Sequence, residues 1–195
     1  YLELYDKYFS ENRNKSINLL EIGILFGDSL TIFNEYFENA KITAIDIEDK
    51  SNLKKENVDI IQGDQSNKEL LNKFKDDYFD IILDDGSHKM YHQQVSFGVL
   101  FKKLKNDGIY IIEDLHTSLD EYRENKIYGS QLFGIEEGNR TIDFLNDIKG
   151  NKKSNVYLSD DEYSYLLENV ESIEIFETSR KNNNEFSITS IIKKK

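Results

Sequence analysis

The stretch Phe79-Asp80-Ile81-Ile82-Leu83-Asp84-Asp85-Gly86-Ser87-His88 joins a short apolar run directly to a group of polar residues. The run from Phe79 to Leu83, with Asp80 as its one polar member, is typical of a β-strand covered on both faces. In an open α/β sheet, ligands bind beyond the carboxyl ends of such strands. The stretch therefore predicts a binding site at this strand end. The simpler alternative is an Asp-Gly turn with a surface histidine.

A second predicted strand, Ile109–Ile112, is followed by the same kinds of side chain, in Glu113, Asp114 and His116. In a parallel sheet Glu113 and Asp114 would meet Asp85 at one edge. Carboxylates at close range repel one another unless a cation binds. The two strand ends therefore favour a metal site, and Mg²⁺ is the expected ion because the ligands are oxygens. His88 is expected to take up a proton near neutral pH.

The predicted elements alternate between strands and helices over most of the chain. This alternation predicts an α/β, doubly wound, mostly parallel sheet of Rossmann type. Two alternating segments near the C-terminus predict an antiparallel hairpin, so that the sheet has seven strands. The predicted strands are Ile17–Ile22, Lys41–Ile47, Val58–Gln62, Phe79–Leu83, Ile109–Ile112, Ile173–Thr178 and Phe186–Ile192, and the predicted helices are Tyr1–Phe9, Leu30–Phe37, Lys68–Lys75, Tyr91–Leu104, Ser118–Lys126, Thr141–Ile148 and Asp160–Leu167.

The predicted domain organisation is a single domain over residues 1–195. Within it, residues 117–170 form a less regular segment that is expected to be a substrate-binding insertion or lid. Its glycine- and aromatic-containing part, Tyr128–Gly138, is the predicted lid or wall of a site.

The turn after the first strand has features of a nucleotide site. Gly23 and Gly27 allow the backbone to pass close to a ligand, and Asp28 or Ser29 can cap the helix that follows. The spacing matches neither the dinucleotide motif G-x-G-x-x-G nor a P-loop. Two glycines alone therefore indicate a turn as readily as a cofactor.

The next two strand ends each leave two interpretations open. Asp46 follows Gly23 at the distance where an acid accepts hydrogen bonds from ribose hydroxyls, but it can equally cap a turn. Asp64 and Gln65 can contact the edge of a base, whereas Asp64 with Ser66 can merely cap the next helix.

Composition excludes several classes of protein. The 195 residues are 38% hydrophobic and 32% charged, which is typical of a globular domain. The net charge of −12 disfavours nucleic acid as a partner. No apolar run approaches the ~20 residues that cross a bilayer, and no secretion signal opens the chain, so we expect a cytoplasmic protein without a membrane partner. The absence of cysteine excludes disulfides and thiolate metal ligands.

Two groups of motifs resemble a known family. Glu21-x-Gly23-x-x-x-Gly27, Asp46 and Asp64 resemble the cofactor positions of class I S-adenosylmethionine-dependent methyltransferases, whose five parallel strands also end in a hairpin. Asp84-Asp85-Gly86-Ser87-His88, with the following Gln93 or Gln94 and Ser96-Phe97, and Ile111–Ser118 are similar to the metal-dependent O-methyltransferases of sugars and macrolide glycosides and to the cephalosporin-hydroxylase-like proteins grouped with them. The resemblance covers Ile17–Ser118.

The resemblance implies a role for each matched residue. It implies that a divalent metal is held by Asp85, Glu113 and Asp114, and that His88 is the general base. Asp114 departs from the catechol-type pattern, in which asparagine is common at this place. The implied contacts to S-adenosylmethionine come from Glu21, Gly23, Gly27, Ser29, Asp46, Ile47, Asp64, Gln65 and Asp84.

The function expected from these residues is metal-assisted transfer of a methyl group from S-adenosylmethionine to a sugar hydroxyl, with a small-molecule acceptor as partner. Three alternatives are a catechol-type O-methyltransferase, a non-catalytic cofactor-binding protein and a Rossmann oxidoreductase. The missing third glycine disfavours the oxidoreductase, and the retained His88 and carboxylates disfavour a non-catalytic protein. The sequence leaves open whether the chain forms a homo-oligomer.

Overall fold

The computed structural model describes residues 2–119, 139–152, 157–180 and 185–195. Within these ranges one seven-stranded sheet has the order β3-β2-β1-β4-β5-β7-β6. The first five strands pair in parallel, and β7 is antiparallel to both β5 and β6. The predicted fold class is confirmed. The strands are β1 (Ser16–Ile22), β2 (Asn39–Asp46), β3 (Val58–Gln62), β4 (Phe79–Asp84), β5 (Leu104–Ile112), β6 (Val170–Arg180) and β7 (Glu185–Lys194).

Helices cover both faces of this sheet. On one face α1 and α2 pack against side chains such as Leu19, Ile81 and Ile111, and on the other α4, α5 and α6 pack against Ile82 and Ile112 among others. Consecutive residues of β4 thus enter opposite cores, which explains its continuous apolar run. The helices are α1 (Leu2–Phe9), α2 (Asp28–Tyr36), α3 (Lys68–Leu71), α4 (Met90–Leu100), α5 (Thr141–Lys149) and α6 (Asp160–Asn169), and a 3₁₀ turn spans Leu115–Ser118.

The strand register determines where the polar strand ends lie. Asp84 of β4 pairs with Ile22 of β1 on one side and with Ile112 of β5 on the other. The ladder continues past the strands, because Asp85 N–H donates to Ile22 O and Glu113 N–H donates to Asp84 O, both at 2.9 Å. The residues that follow β1, β4 and β5 therefore lie side by side at one edge of the sheet.

Helix α4 ends earlier than its sequence pattern predicts. The prediction of a helix to Leu104, stopped by Asn106-Asp107-Gly108, is wrong, because α4 ends at Leu100 and Leu104–Ile112 form β5. Phe79 N–H donates to Lys103 O at 2.9 Å, and Phe79 pairs with Leu104. Pairing with β4 thus draws these residues into the sheet, although their polarity is typical of a helix end.

The predicted insertion at 117–170 is only partly described. Helices α5 and α6 lie within it, and Phe144, Leu145 and Leu166 pack in the same core as α4. The predicted lid Tyr128–Gly138 and most of the predicted helix Ser118–Lys126 fall outside the described residues. The division of the domain stays a prediction.

Candidate functional site

A cleft of about 800 Å³ opens at the carboxyl ends of the five parallel strands, β1 to β5. Of the predicted site residues, Glu21, Gly27, Asp84 and Glu113 do not line it. Three exposed apolar residues, Leu25, Phe26 and Ile47, do. Nine predicted residues line the cleft: Gly23, Ser29, Asp46, Ile47, Asp64, Gln65, Asp85, His88 and Asp114.

The turn after β1 brings two strand ends close together. Gly23 and Gly27 have φ angles of +87° and +85°, which disfavour other residues. A Cβ atom on Gly23 would lie 2.2 Å from the carbonyl oxygen of Asp85. Glycine at position 23 therefore permits the contact between the first turn and the carboxylate loop after β4. Gly27 also occupies the N-cap position of α2, whereas the sequence predicted Asp28 or Ser29 as the cap.

The Asp46 carboxylate accepts hydrogen bonds from the turns after β1 and β2, and it also lines the cleft. Its Oδ2 accepts the Ile24 N–H at 2.8 Å, and its Oδ1 accepts the Glu48 N–H at 2.9 Å. Each carboxylate oxygen can accept a further hydrogen bond. The structure is thus consistent with both interpretations of Asp46, as a turn residue and as a ligand of ribose hydroxyls.

The turn after β3 separates the roles of Asp64 and Gln65. Asp64 Oδ1 accepts the N–H and the hydroxyl of Ser66 at 2.7 and 2.8 Å. The predicted cap of α3 by Asp64 and Ser66 is wrong, because Asn67 caps this helix by accepting the Leu70 N–H at 3.1 Å. The Gln65 amide instead reaches across to the loop after β4. Both adenine-side assignments stay predictions.

Three side chains converge at the other end of the cleft. One ligand atom each from Asp85, His88 and Asp114 lies within 4.8 Å of the others. Burial, together with the neighbouring Glu113 and Asp114 carboxylates, raises the pKa of Asp85 to about 9. A divalent cation would offset the electrostatic part of this shift. The two carboxylates supply the oxygen ligands that suit a divalent cation, and the imidazole lies beside them.

Left-handed backbone conformations shape the two loops that carry these ligands. His88 and Asp114 have φ angles of 56° and 53° although neither is glycine. Thr117 Oγ1 donates to the His88 carbonyl at 3.1 Å, and Ser187 Oγ on β7 donates to Asp114 Oδ1 at 2.7 Å. Such conformations persist where surrounding contacts hold them, as they do at functional sites. Sequence reasoning missed Thr117 and Ser187 as supports of the site.

Glu113 takes a different position from the three convergent residues. It is buried and accepts a hydrogen bond from the hydroxyl of Tyr5 on α1. Burial raises its pKa to about 7. The fully buried Glu21 lies near it, and burial likewise raises the pKa of Glu21 to about 7. The metal-ligand role of Glu113 stays a prediction, and sequence reasoning missed Tyr5.

The imidazole of His88 is suited to accept a proton. Its Nε2 lies 3.7 Å from Asp114 Oδ2. Burial lowers the pKa of His88 below 6.5, the Asp114 carboxylate opposes this shift, and His116 adds to it. The ring is therefore neutral near pH 7. His92 Nδ1 lies 2.8 Å from Ser87 Oγ in the same loop.

Curated relatives of the chain are O-methyltransferases. No protein-family model matches it. The chain is 37% identical over 123 residues to mycinamicin VI 2''-O-methyltransferase from Micromonospora griseorubida. This alignment covers 58% of the chain and 31% of the relative. The chain is 32% identical over 154 residues to a rhamnosyl-tetracenomycin-C 3'-O-methyltransferase from Streptomyces olivaceus, with coverages of 74% and 38%. The chain thus spans about a third of the length of these relatives.

Solved structures confirm both the fold and the resemblance. The MycE methyltransferase of the mycinamycin biosynthetic pathway, in complex with Mg and SAH, has a TM-score of 0.73 and 26% identity, covering 98% of this chain and 48% of that one. A complex of the same enzyme that also contains mycinamycin VI gives a TM-score of 0.70 and 25% identity. An S-adenosylmethionine-dependent methyltransferase from Archaeoglobus fulgidus, at 16% identity and a TM-score of 0.56, supports the fold alone.

Proposed function

We propose that this chain carries the catalytic site of an S-adenosylmethionine-dependent O-methyltransferase that acts on a sugar hydroxyl, with a divalent cation. The observation that carries this proposal is the convergence of Asp85, His88 and Asp114 at one end of the cleft. Asp46, the last residue of β2, lines the same cleft on the other side of β1. The similarity to O-methyltransferases of mycinamicin VI and of a rhamnosyl tetracenomycin supports a glycosylated small molecule as the acceptor.

The cleft offers separate places for cofactor and metal. Asp46 and Ile47 would hold the adenosine part, and the turn from Gly23 to Ser29 would contact the methionine part. Asp85 and Asp114 would hold Mg²⁺, with Glu113 as the further predicted ligand. S-adenosylmethionine would supply a methyl group on a positively charged sulfur, and the cation would lower the pKa of the acceptor hydroxyl.

His88 has the position and the protonation state that the reaction needs. The neutral imidazole would accept the proton of the sugar hydroxyl as that oxygen bonds to the methyl carbon and the carbon–sulfur bond of S-adenosylmethionine breaks, which leaves SAH. The Asp114 carboxylate, 3.7 Å from Nε2, then stabilises the imidazolium. The proton thus ends on His88, and the methyl group ends on the sugar oxygen.

Calorimetry and an acceptor screen test the proposal. We expect the protein to bind SAH and not NAD⁺, and to methylate glycosylated macrolides or nucleotide sugars in the presence of Mg²⁺. A panel of catechols examined in parallel separates the sugar and catechol classes of acceptor. Tight binding of NAD⁺ without SAH binding, or turnover of catechols alone, would contradict the proposal.

The predicted setting of the protein concerns its location, its domain organisation and its assembly. Among the residues that the structure describes, no helix is both long and apolar enough to cross a bilayer. The cytoplasmic location, the single domain over residues 1–195 and a homo-oligomeric state stay predictions.

A further inference from the structure

We propose that Gln65 is a positioning residue that holds the loop carrying Asp85 and His88, an inference that rests on the proposed methyl transfer. Gln65 belongs to the turn after β3, yet its side chain is 6% exposed. A buried amide requires partners for both its nitrogen and its oxygen. Both sets of partners come from the segment at the end of β4.

The amide of Gln65 contacts this segment at two points. Its Nε2 donates to Asp84 Oδ1 at 2.9 Å and to Asp84 Oδ2 at 3.2 Å. Its Oε1 accepts the backbone N–H of Ser87 at 2.7 Å. Asp84 is fully buried and also accepts a hydrogen bond from Ser96 Oγ of α4, 2.5 Å from its Oδ2. The loop is therefore linked to both β3 and α4.

The loop also packs directly onto the Gln65 side chain. A Cβ atom on Gly86 would lie 2.2 Å from Gln65 Oε1. On the other side, Asp85 N–H donates to Ile22 O at 2.9 Å. The loop thus lies between β1 and Gln65, and it cannot shift towards either without breaking a hydrogen bond.

These contacts determine which way the Gln65 amide points. The backbone N–H of Ser87 only donates, so the amide oxygen must face it, while the amide nitrogen donates to the Asp84 carboxylate. Only one orientation satisfies both partners. Since Ser87 immediately precedes His88, loss of its hydrogen bond would displace the imidazole relative to the reacting hydroxyl. A misplacement of ~1 Å can cost about 100-fold in rate.

The test compares Gln65→Leu with the matched control Gln94→Leu. Gln94 is also a buried glutamine, and its Nε2 donates to the Asn139 carbonyl at 2.7 Å, away from the cleft. Both variants lose a buried amide, so both are expected to lose stability. Amide hydrogen exchange of Ser87, SAH affinity and kcat are measured for each. The exchange rate reports the loop directly, independently of turnover.

For Gln65→Leu we expect Ser87 exchange at least ~10-fold faster and kcat, measured at saturating S-adenosylmethionine, about 10–100-fold lower than in wild type. Gln94→Leu should keep Ser87 protected and kcat within about threefold. Normal Ser87 protection in Gln65→Leu would overturn the inference, as would faster exchange with unchanged kcat. If Gln65→Leu does not fold, Gln65→Asn serves instead, because its shorter side chain cannot reach both partners. Wild-type protein that binds SAH but methylates no glycoside would refute the proposed function, while Ser87 exchange would still report the contact.

Discussion

Replacing Glu21 with glutamine tests the electrostatics of the carboxyl edge. Glu21 is fully buried near the end of β1. Neither of its carboxylate oxygens accepts a hydrogen bond of normal geometry from any described residue. The pKa of Glu21 is raised from 4.5 to about 7, chiefly by burial. The nearby Ser29 hydroxyl opposes this shift, and the Glu113 carboxylate adds to it. Above pH 7 the folded protein therefore holds a poorly stabilised buried charge.

The magnitude follows from this pKa. Because the folded state binds the proton more tightly than the unfolded state, stability falls as pH rises from about 4.5 to about 7 and is then constant. The difference corresponds to about 3 kcal/mol at pH 8. The amide introduced at this position would itself lack partners, at a cost of about 1–2 kcal/mol. For Glu21→Gln we expect a net gain of about 1–2 kcal/mol at pH 8, or about 2–8 °C in Tm.

Thermal unfolding in EDTA, at pH 5 and at pH 8, measures this effect. At pH 5 the folded protein holds Glu21 protonated, so the gain should largely vanish. Glu35→Gln, which neutralises an exposed glutamate of α2, controls for net charge and should change Tm by less than about 1 °C. Equal gains at both pH values, or no gain at pH 8, would refute the reasoning.

Three further predictions concern the cleft. Asp46→Ala should weaken SAH binding by about 1–3 kcal/mol in calorimetry, and unchanged affinity would remove Asp46 from the cofactor site. EDTA should abolish turnover and Mg²⁺ restore it, while Asp114→Asn should bind Mn²⁺ more weakly; full activity in EDTA would contradict a metal role. His88→Ala should lower kcat about 10²–10⁴-fold with SAH affinity unchanged. Wild-type kcat should rise with pH to a plateau, with its midpoint below 6.5 because burial lowers the pKa of His88. An increase in KM alone, or a loss of Mn²⁺ binding in His88→Ala, would contradict the base assignment.

The sequence alone determined the order of the described strands and helices along the chain, and the edge of the sheet at which the candidate site lies. Strand β3 has the predicted bounds, Val58–Gln62, and β4 extends the predicted Phe79–Leu83 by one residue. Buried strands between turn residues have a local signature, because each residue's burial depends on its place in a short periodic pattern. The carboxyl ends of parallel strands share one edge, so Asp85 and Asp114 could be placed together before their distance was known.

Only the tertiary structure decided which side chains meet within that edge. Tyr5 and Glu113 are 108 residues apart, and Ser187 and Asp114 are 73 apart, so no local pattern connects them. The inward orientation of the Gln65 amide likewise depends on partners from another strand. Such contacts follow from strand order and register, which depend on the packing of the whole sheet and not on the propensities of neighbouring residues.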